Sequence, residues 1–157
     1  MKRPVEKKAE ILFTKEGLEE VQAELKSLQQ LRPSVVVELS RGREMGDLSE
    51  NGLYRGAKMK LGQVDGRIRH LTRLLKAAKV IESKQSEIIQ FGSVVTIITN
   101  DKEYTYQIVG GYESNPAKGT ISHHSPLGQA LMGKKKGDSA VVTTPTGEIH
   151  YTIHTIK

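Results

Sequence analysis

Three carboxylates stand three residues apart in the stretch REMGDLSENGLY (residues 43–54), at Glu44, Asp47 and Glu50. Carboxylates at that spacing can ligate a hard cation such as Mg²⁺, and one of them can take a proton from a water molecule as a general base. A plainer reading stands beside this one. Asp47 can cap a following helix while Glu50, three residues on, reaches back as the other half of a capping box, and negative charge there suits a helix N-terminus. Elsewhere the chain offers little chemistry. It has no cysteine, so thiol nucleophiles, thiolate metal sites and disulfides are excluded. There is no serine-elbow motif, and GKKKGD (133–138) lacks the preceding glycine and the Ser or Thr of a nucleotide loop. His123 and His124 are adjacent on an expected strand and should point to opposite faces, while His150 and His154 share a face but stand roughly 13 Å apart. Surface or packing roles are expected for all four.

Two helical patterns flank the acidic stretch. Leu18, Val21, Leu25, Leu28, Val35 and Leu39 keep the alternating three-and-four step of a heptad seam, with Arg32 in the missing position and Thr14 before it as a helix cap. Ala57, Leu61, Val64, Ile68, Leu71, Leu75 and Ala78 repeat the step. A mirror placed at residue 48 pairs Leu18 with Ala78, Val21 with Leu75, Leu25 with Leu71 and so on to Leu39 with Ala57, the layer matching of an antiparallel coiled coil. The reversal then falls at residues 46–49, at the end of a finger roughly 45 Å long. Pro33 removes one helical hydrogen bond and is expected to bend the first arm. A capping box needs no such stalk, whereas a pair of acids that must reach into another molecule's narrow site does.

From residue 93 onward the period changes to two, with β-branched residues in SVVTIIT (93–99), EYTYQIV (103–109), GTISHH (119–124), SAVVTT (139–144) and EIHYTIH (148–154). NDK (100–102) and PTG (145–147) read as hairpin turns. Ser125 is placed to cap a short helix with Pro126 at its first position and Gly133 past its end. The sequence thus predicts an α+β protein in two parts: a coiled-coil hairpin over 1–82 with its acidic tip near 46–51, and a small antiparallel sheet with a short helix over 83–157. The net charge of +6 lies entirely in the first part, where residues 1–85 hold 18 Lys and Arg against 12 Asp and Glu. Residues 53–79 hold eight basic residues against Asp65 alone. Such a run is either a solvated helix face or a surface for a partner rich in phosphate or carboxylate. With no apolar run of signal-peptide or membrane-spanning length, a soluble cytoplasmic protein is expected, with no membrane partner.

RPSVVVELSRGREMGDLSENGLYRGAK (32–58), with the basic arm after it, resembles the bacterial Gre transcript-cleavage factors, and the Gly-Asp-Leu-X-Glu-Asn tip is the most specific stretch. FGSVVTI, YQIVG and ISHHSPLGQALMGKKKGD resemble the family's C-terminal domain, so the likeness covers nearly the whole chain apart from about ten N-terminal residues. The resemblance implies an FKBP-like second domain and an accessory factor, not itself an enzyme, working as a monomer on bacterial RNA polymerase. In that role the finger enters the secondary channel of a backtracked complex and the polymerase cuts the 3′ end of its nascent RNA. The family's paired acids fall on Asp47 and Glu50, supplied to the polymerase active site. There they are expected to help hold a second Mg²⁺, shared with the polymerase, and the attacking water. No cofactor of its own is implied.

Arg43, Arg55 and Lys58 then become RNA contacts, and Tyr54 either stacks on an unpaired base or packs against the stalk. Ser125, Pro126 and Leu127 become the polymerase-docking loop, or else a helix start packed on the sheet. A prolyl isomerase site is disfavoured, because it needs an aromatic-lined pocket and this half has Phe91, a few tyrosines and no tryptophan. Two other functions remain open: a channel-occupying inhibitor that releases no fragment, and a general RNA-binding module. Gly52, Leu53 and Gly56 depart from the family's usual residues just past the tip.

Overall fold

The structure, a computed structural model, describes residues 10–45, 52–81, 86–145 and 147–157. The chain divides into two compact units, Leu18–Ala77 and a second that joins the described residues up to Gly17 with Ala78–Lys157.

The first unit is built from helices α1 (Lys15–Glu44) and α2 (Gly52–Ala77). Burial follows the heptad seam. Val21, Val35, Ala57, Val64 and Leu71 are buried, and Leu18, Leu25, Leu28, Leu39, Leu61, Ile68 and Leu75 are partly so. A Val, Leu or Ile side chain of this seam contributes about 1.5–3 kcal/mol when its burial is complete. Leu74 is buried as well, off the seam read from the sequence. The arms run antiparallel, as cross-helix ion pairs record: Arg32 with Asp65 at 2.6 Å, Lys60 with Glu38 at 3.0 Å and Arg67 with Glu24 at 2.6 Å. The first two reflect about residues 48–49, close to the mirror expected, and the chain reverses between Glu44 and Gly52. Pro33 lies inside α1, which continues through it to Glu44.

In the second unit, β1 (Ile11–Phe13) and β2 (Ala78–Val80) form a parallel pair with Ile11 opposite Ala78 and Phe13 opposite Val80. The larger sheet has β3 (Val94–Thr99), β4 (Lys102–Val109), β5 (Thr120–Ser122), β6 (Ser139–Thr144) and β7 (Gly147–Ile156) in the order β5-β4-β3-β7-β6. It is antiparallel except at one edge, where β5 runs parallel to β4. The β3–β4 turn puts both Asn100 (φ 49°) and Asp101 (φ 58°) in the left-handed region, the hairpin geometry whose twist matches the strands. Alternate residues Val95, Ile97, Ile108, Ala140 and Ile153 form the core with Ile89 and with Leu131 of α3 (Pro126–Leu131), which packs on β6. Among the described residues no helix is long and apolar enough to cross a membrane.

This unit also ties together residues remote in sequence. Thr14 caps α1 as expected, its hydroxyl accepting from the Gly17 N–H at 3.1 Å, but it is itself held by Glu113, 99 residues away. The Glu113 carboxylate accepts from the Thr14 N–H at 3.1 Å, from the Thr14 hydroxyl and from the Gly110 N–H at 3.3 Å. Two glycines make room. A Cβ on Gly17 would stand 1.7 Å from a Glu113 carboxylate oxygen, and one on Gly110 would stand 2.1 Å from the Leu12 carbonyl. Phe13, fully buried, packs its ring 6.1 Å from that of Tyr112.

Candidate interaction site at the end of the helical hairpin

Asp47 and Glu50 lie outside the described residues, and Glu44 is the exposed last residue of α1. What the structure describes is the platform on either side of them. Gly42, in the last turn of α1, meets the first turn of α2 so closely that a Cβ there would stand 2.9 Å from the Tyr54 Cα. The absence of a side chain at Gly42 is therefore what lets the two backbones converge. Tyr54 is half-buried, and the Arg43 guanidinium lies 5.8 Å from its ring centroid, within the range of cation–π attraction. Lys58 is four residues from Tyr54 and so lies on nearly the same side of α2. Arg43 and Tyr54 are thus brought together, with Lys58 one turn further along α2, whereas Arg55 lies about 100° away from Tyr54 around the helix.

The basic arm is partly neutralised across the hairpin. Lys60 and Arg67 are engaged with Glu38 and Glu24. Arg55 and Lys58 are exposed and form no ion pair with a described residue. The hydrogen bond from Arg67 holds the Glu24 carboxyl below its ordinary value, and the one from Arg32 does the same for Asp65. On another side of the hairpin end, Glu38, Arg41, Met45, Leu53, Gly56 and Lys60 line a shallow groove of about 480 Å³. Met45 and Leu53 are two-thirds exposed there. Leu53 departs from the family's usual residue, and the groove has no counterpart in the sequence pattern, because exposure of an apolar residue near a helix end leaves no periodic signal.

In the sheet unit Ser125 is a helix cap. Its hydroxyl accepts from the Gly128 N–H at 3.0 Å and donates to the Ser122 carbonyl at 2.7 Å. Pro126 follows at the first helical position and is exposed, while Leu127 is partly buried against the core. The expected placement of His123 and His124 on opposite faces of a strand is corrected: β5 ends at Ser122, the chain turns, and the two rings lie 3.9 Å apart. His123 Nδ1 is 3.0 Å from the Val109 carbonyl, and the ring meets Phe91 edge-on at 5.4 Å. His150 and His154 are exposed on β7. Among the described residues no group of three or more His, Asp or Glu side chains is placed to hold a metal ion. Also unforeseen is an aromatic cluster on the sheet, where Tyr104 stacks parallel to Tyr106 at 6.3 Å. The Tyr151 hydroxyl is pushed upward by burial and by those two neighbours.

Comparison with known proteins places both parts of the chain. Residues 11–80 match the model of the transcription elongation factor N-terminal domain, and residues 84–157 match that of the GreA/GreB transcription elongation factor C-terminal domain. The transcription elongation factor GreA of Helicobacter hepaticus is 43% identical over 146 residues, covering 90% of each chain. That of Ruegeria pomeroyi is 42% identical over 151 residues, covering 94% of this chain and 97% of the relative. The crystal structure of the GreA factor homolog 1 protein of Thermus thermophilus aligns over 94% of this chain and 99% of that one at 27% identity, with a TM-score of 0.45. By the two domain matches and these relatives, the chain belongs to the GreA/GreB family of transcription elongation factors.

Proposed function

We propose that this elongation factor acts on RNA polymerase by passing its helical hairpin into the secondary channel of a backtracked complex, where it stimulates the polymerase to hydrolyse its own 3′ RNA. The observation that supports the reading is the antiparallel pairing of α1 and α2, whose ion pairs Arg32–Asp65 and Lys60–Glu38 reflect about residues 48–49, with Asp47 and Glu50 falling in the sequence between the two arms. A rigid two-helix rod with acids at its end suits delivery into a narrow site better than it suits a free-standing active site. The factor is not itself an enzyme in this reading.

Asp47 and Glu50 are assigned complementary tasks. Two carboxylates supply only part of the six-oxygen shell that Mg²⁺ demands, so the donor set fits an ion whose other ligands come from the polymerase and from water. When bound, that ion would lower the pKa of a coordinated water and offset charge on the phosphate. Asp47 is the ligand; Glu50 orients the water and takes its proton. Arg43, with its guanidinium at the Tyr54 ring, and Lys58 one turn along α2 offset the repulsion between an acidic tip and RNA phosphate. Arg55 adds positive charge from the adjoining side. Tyr54 is held by the hairpin, so its ring serves as a stop for an RNA base as well as a brace for Arg43. Pro126, exposed at the start of α3 beside the capped Ser125, is the surface element of the docking loop, and Leu127 supports it from beneath.

The test is a stalled, backtracked elongation complex given the purified chain. Release of a short 3′ fragment is expected from the native protein, with Asp47→Asn and Glu50→Gln each lowering the rate by about 10²–10⁴-fold. Fragment release that survives both substitutions, or slowed elongation with no fragment, would reject the reading.

A further inference from the structure

The larger sheet ends in two unlike edges. At one, β5 is three residues long, and Asn115 bridges to Thr120 on it. At the other, β6 keeps an unbroken register with β7 over six residue pairs and carries no charged side chain and no proline. Charges, prolines and bulges are the devices by which natural sheets keep an open edge from pairing. The alternation of the ladder tells which groups face outward. The Ile153 N–H donates to the Asp138 carbonyl at 2.9 Å, and the hairpin closes on the pair Thr144 and Gly147, so Asp138, Ala140, Val142 and Thr144 turn their backbone groups toward β7. The backbone N–H and C=O groups of Ser139, Val141 and Thr143 therefore point away from β7, and no described residue bonds to them. All three residues are exposed, Val141 at 44%.

We propose that β6 is a pairing edge for a second copy of this chain, laid antiparallel so that the two sheets join across a two-fold axis at Val141. In that register Val141 faces Val141 of the second copy, Ser139 faces Thr143 and Ala140 faces Val142, so the strand is complementary to itself and no like charges meet within it. The outward groups of Ser139, Val141 and Thr143 then close about six ladder hydrogen bonds. Just beyond, Asp138 meets Thr144 and Gly137 meets Pro145, which ends the ladder without opposing charges. Charge also favours a copy as the occupant. Residues 86–157 hold six Lys and Arg against six Asp and Glu, so two sheet units do not repel, and the uncharged strand offers a strongly charged segment nothing to bind. A contact of one strand edge is small, so association is weak and single chains prevail when dilute. This pairing involves the sheet unit alone and does not depend on the functional reading above.

The full chain decides it. In sedimentation equilibrium the mean mass of the native protein should rise from 17.4 kDa toward twice that value between about 10 µM and about 1 mM. Val141→Lys and Val141→Glu each set like charges face to face on the axis and should weaken association by about tenfold or more, while an equimolar mixture of the two variants should regain it. A second measurement changes no charge. The chain has no native cysteine, and residues opposed in such a ladder stand about 5.5 Å apart at Cα, within disulfide reach. Under mild oxidation Val141→Cys should therefore form a covalent dimer about tenfold or more faster than Thr152→Cys, which is exposed on the same face of the sheet, one strand further in. A native chain that stays at 17.4 kDa up to about 1 mM overturns the proposal. So does association that the two charged variants leave intact, or that their mixture fails to restore. Equal cross-linking rates for the two cysteine variants overturn it as well, and should a charged variant fail to fold, the cysteine pair decides alone.

Discussion

At the scale of single residues, Ser125 carries two assignments that a pair of substitutions separates. As a cap it satisfies the Gly128 N–H and donates to the Ser122 carbonyl, so Ser125→Ala should cost about 1 kcal/mol of stability, read as a lower midpoint in thermal unfolding. Ser125→Asn keeps the capping oxygen and should unfold near the native midpoint. If the hydroxyl also touches the polymerase, both variants lose affinity in a direct binding measurement. If Ser125 is a cap alone, Asn restores affinity and removes it from the docking loop. This residue was legible because a cap followed by proline is a local signal that needs no tertiary knowledge. His123 was not. Its placement depended on where β5 stops, and three strand residues are too few for alternation to mark an end.

At the scale of elements, α2 combines a well-marked seam with exposed glycines that packing does not require. A Cβ on Gly52 or on Gly56 would meet no described residue within 4 Å. Gly52→Ala and Gly56→Ala should therefore each stabilise the chain by up to about 1 kcal/mol, raising the helical melting midpoint followed by circular dichroism. Failure of either to raise it would mean that the first turns of α2 are not helical in solution. The arms are also coupled by charge, with a definite sign. Glu24 and Asp65 lie below their ordinary values of 4.5 and 3.8 because Arg67 and Arg32 bond to them. A carboxylate depressed in the fold stabilises it above the unfolded value, and that contribution is lost as pH falls through the folded value. Acid melting should steepen below about pH 4.5, and Glu24→Gln with Asp65→Asn should flatten it; both pairs are solvent-exposed, so the change is small and shrinks in 1 M salt. The seam was readable because seven-residue periodicity survives the interruption at Arg32. The β1–β2 pair was not, since three-residue strands have no period and Ala78 continues the helical spacing into β2.

At the scale of the whole molecule, the two parts and the charge asymmetry were open to sequence reading, whereas the tie between Thr14 and Glu113 was not, because nothing local relates residues 99 positions apart. What the sequence could not say about charge is which cations are already engaged. Residues 53–79 read as one basic surface, yet Lys60 and Arg67 are bonded to acids on α1, and Arg55 and Lys58 make no ion pair with a described residue. A cation that contacts a single-stranded phosphate releases counterions and adds about 0.7 to the slope of log affinity against log salt concentration. A cation already paired with a carboxylate adds little, since its field is largely cancelled at phosphate distance. Titrating the chain onto backtracked complexes from low to physiological salt should therefore give a slope that falls by roughly 0.7 in Arg55→Ala and again in Lys58→Ala. Lys60→Ala should leave the slope near the native value. Equal losses for all three substitutions would mean that the Glu38–Lys60 pair opens on binding and that the whole arm, not its tip-proximal cations, faces the RNA.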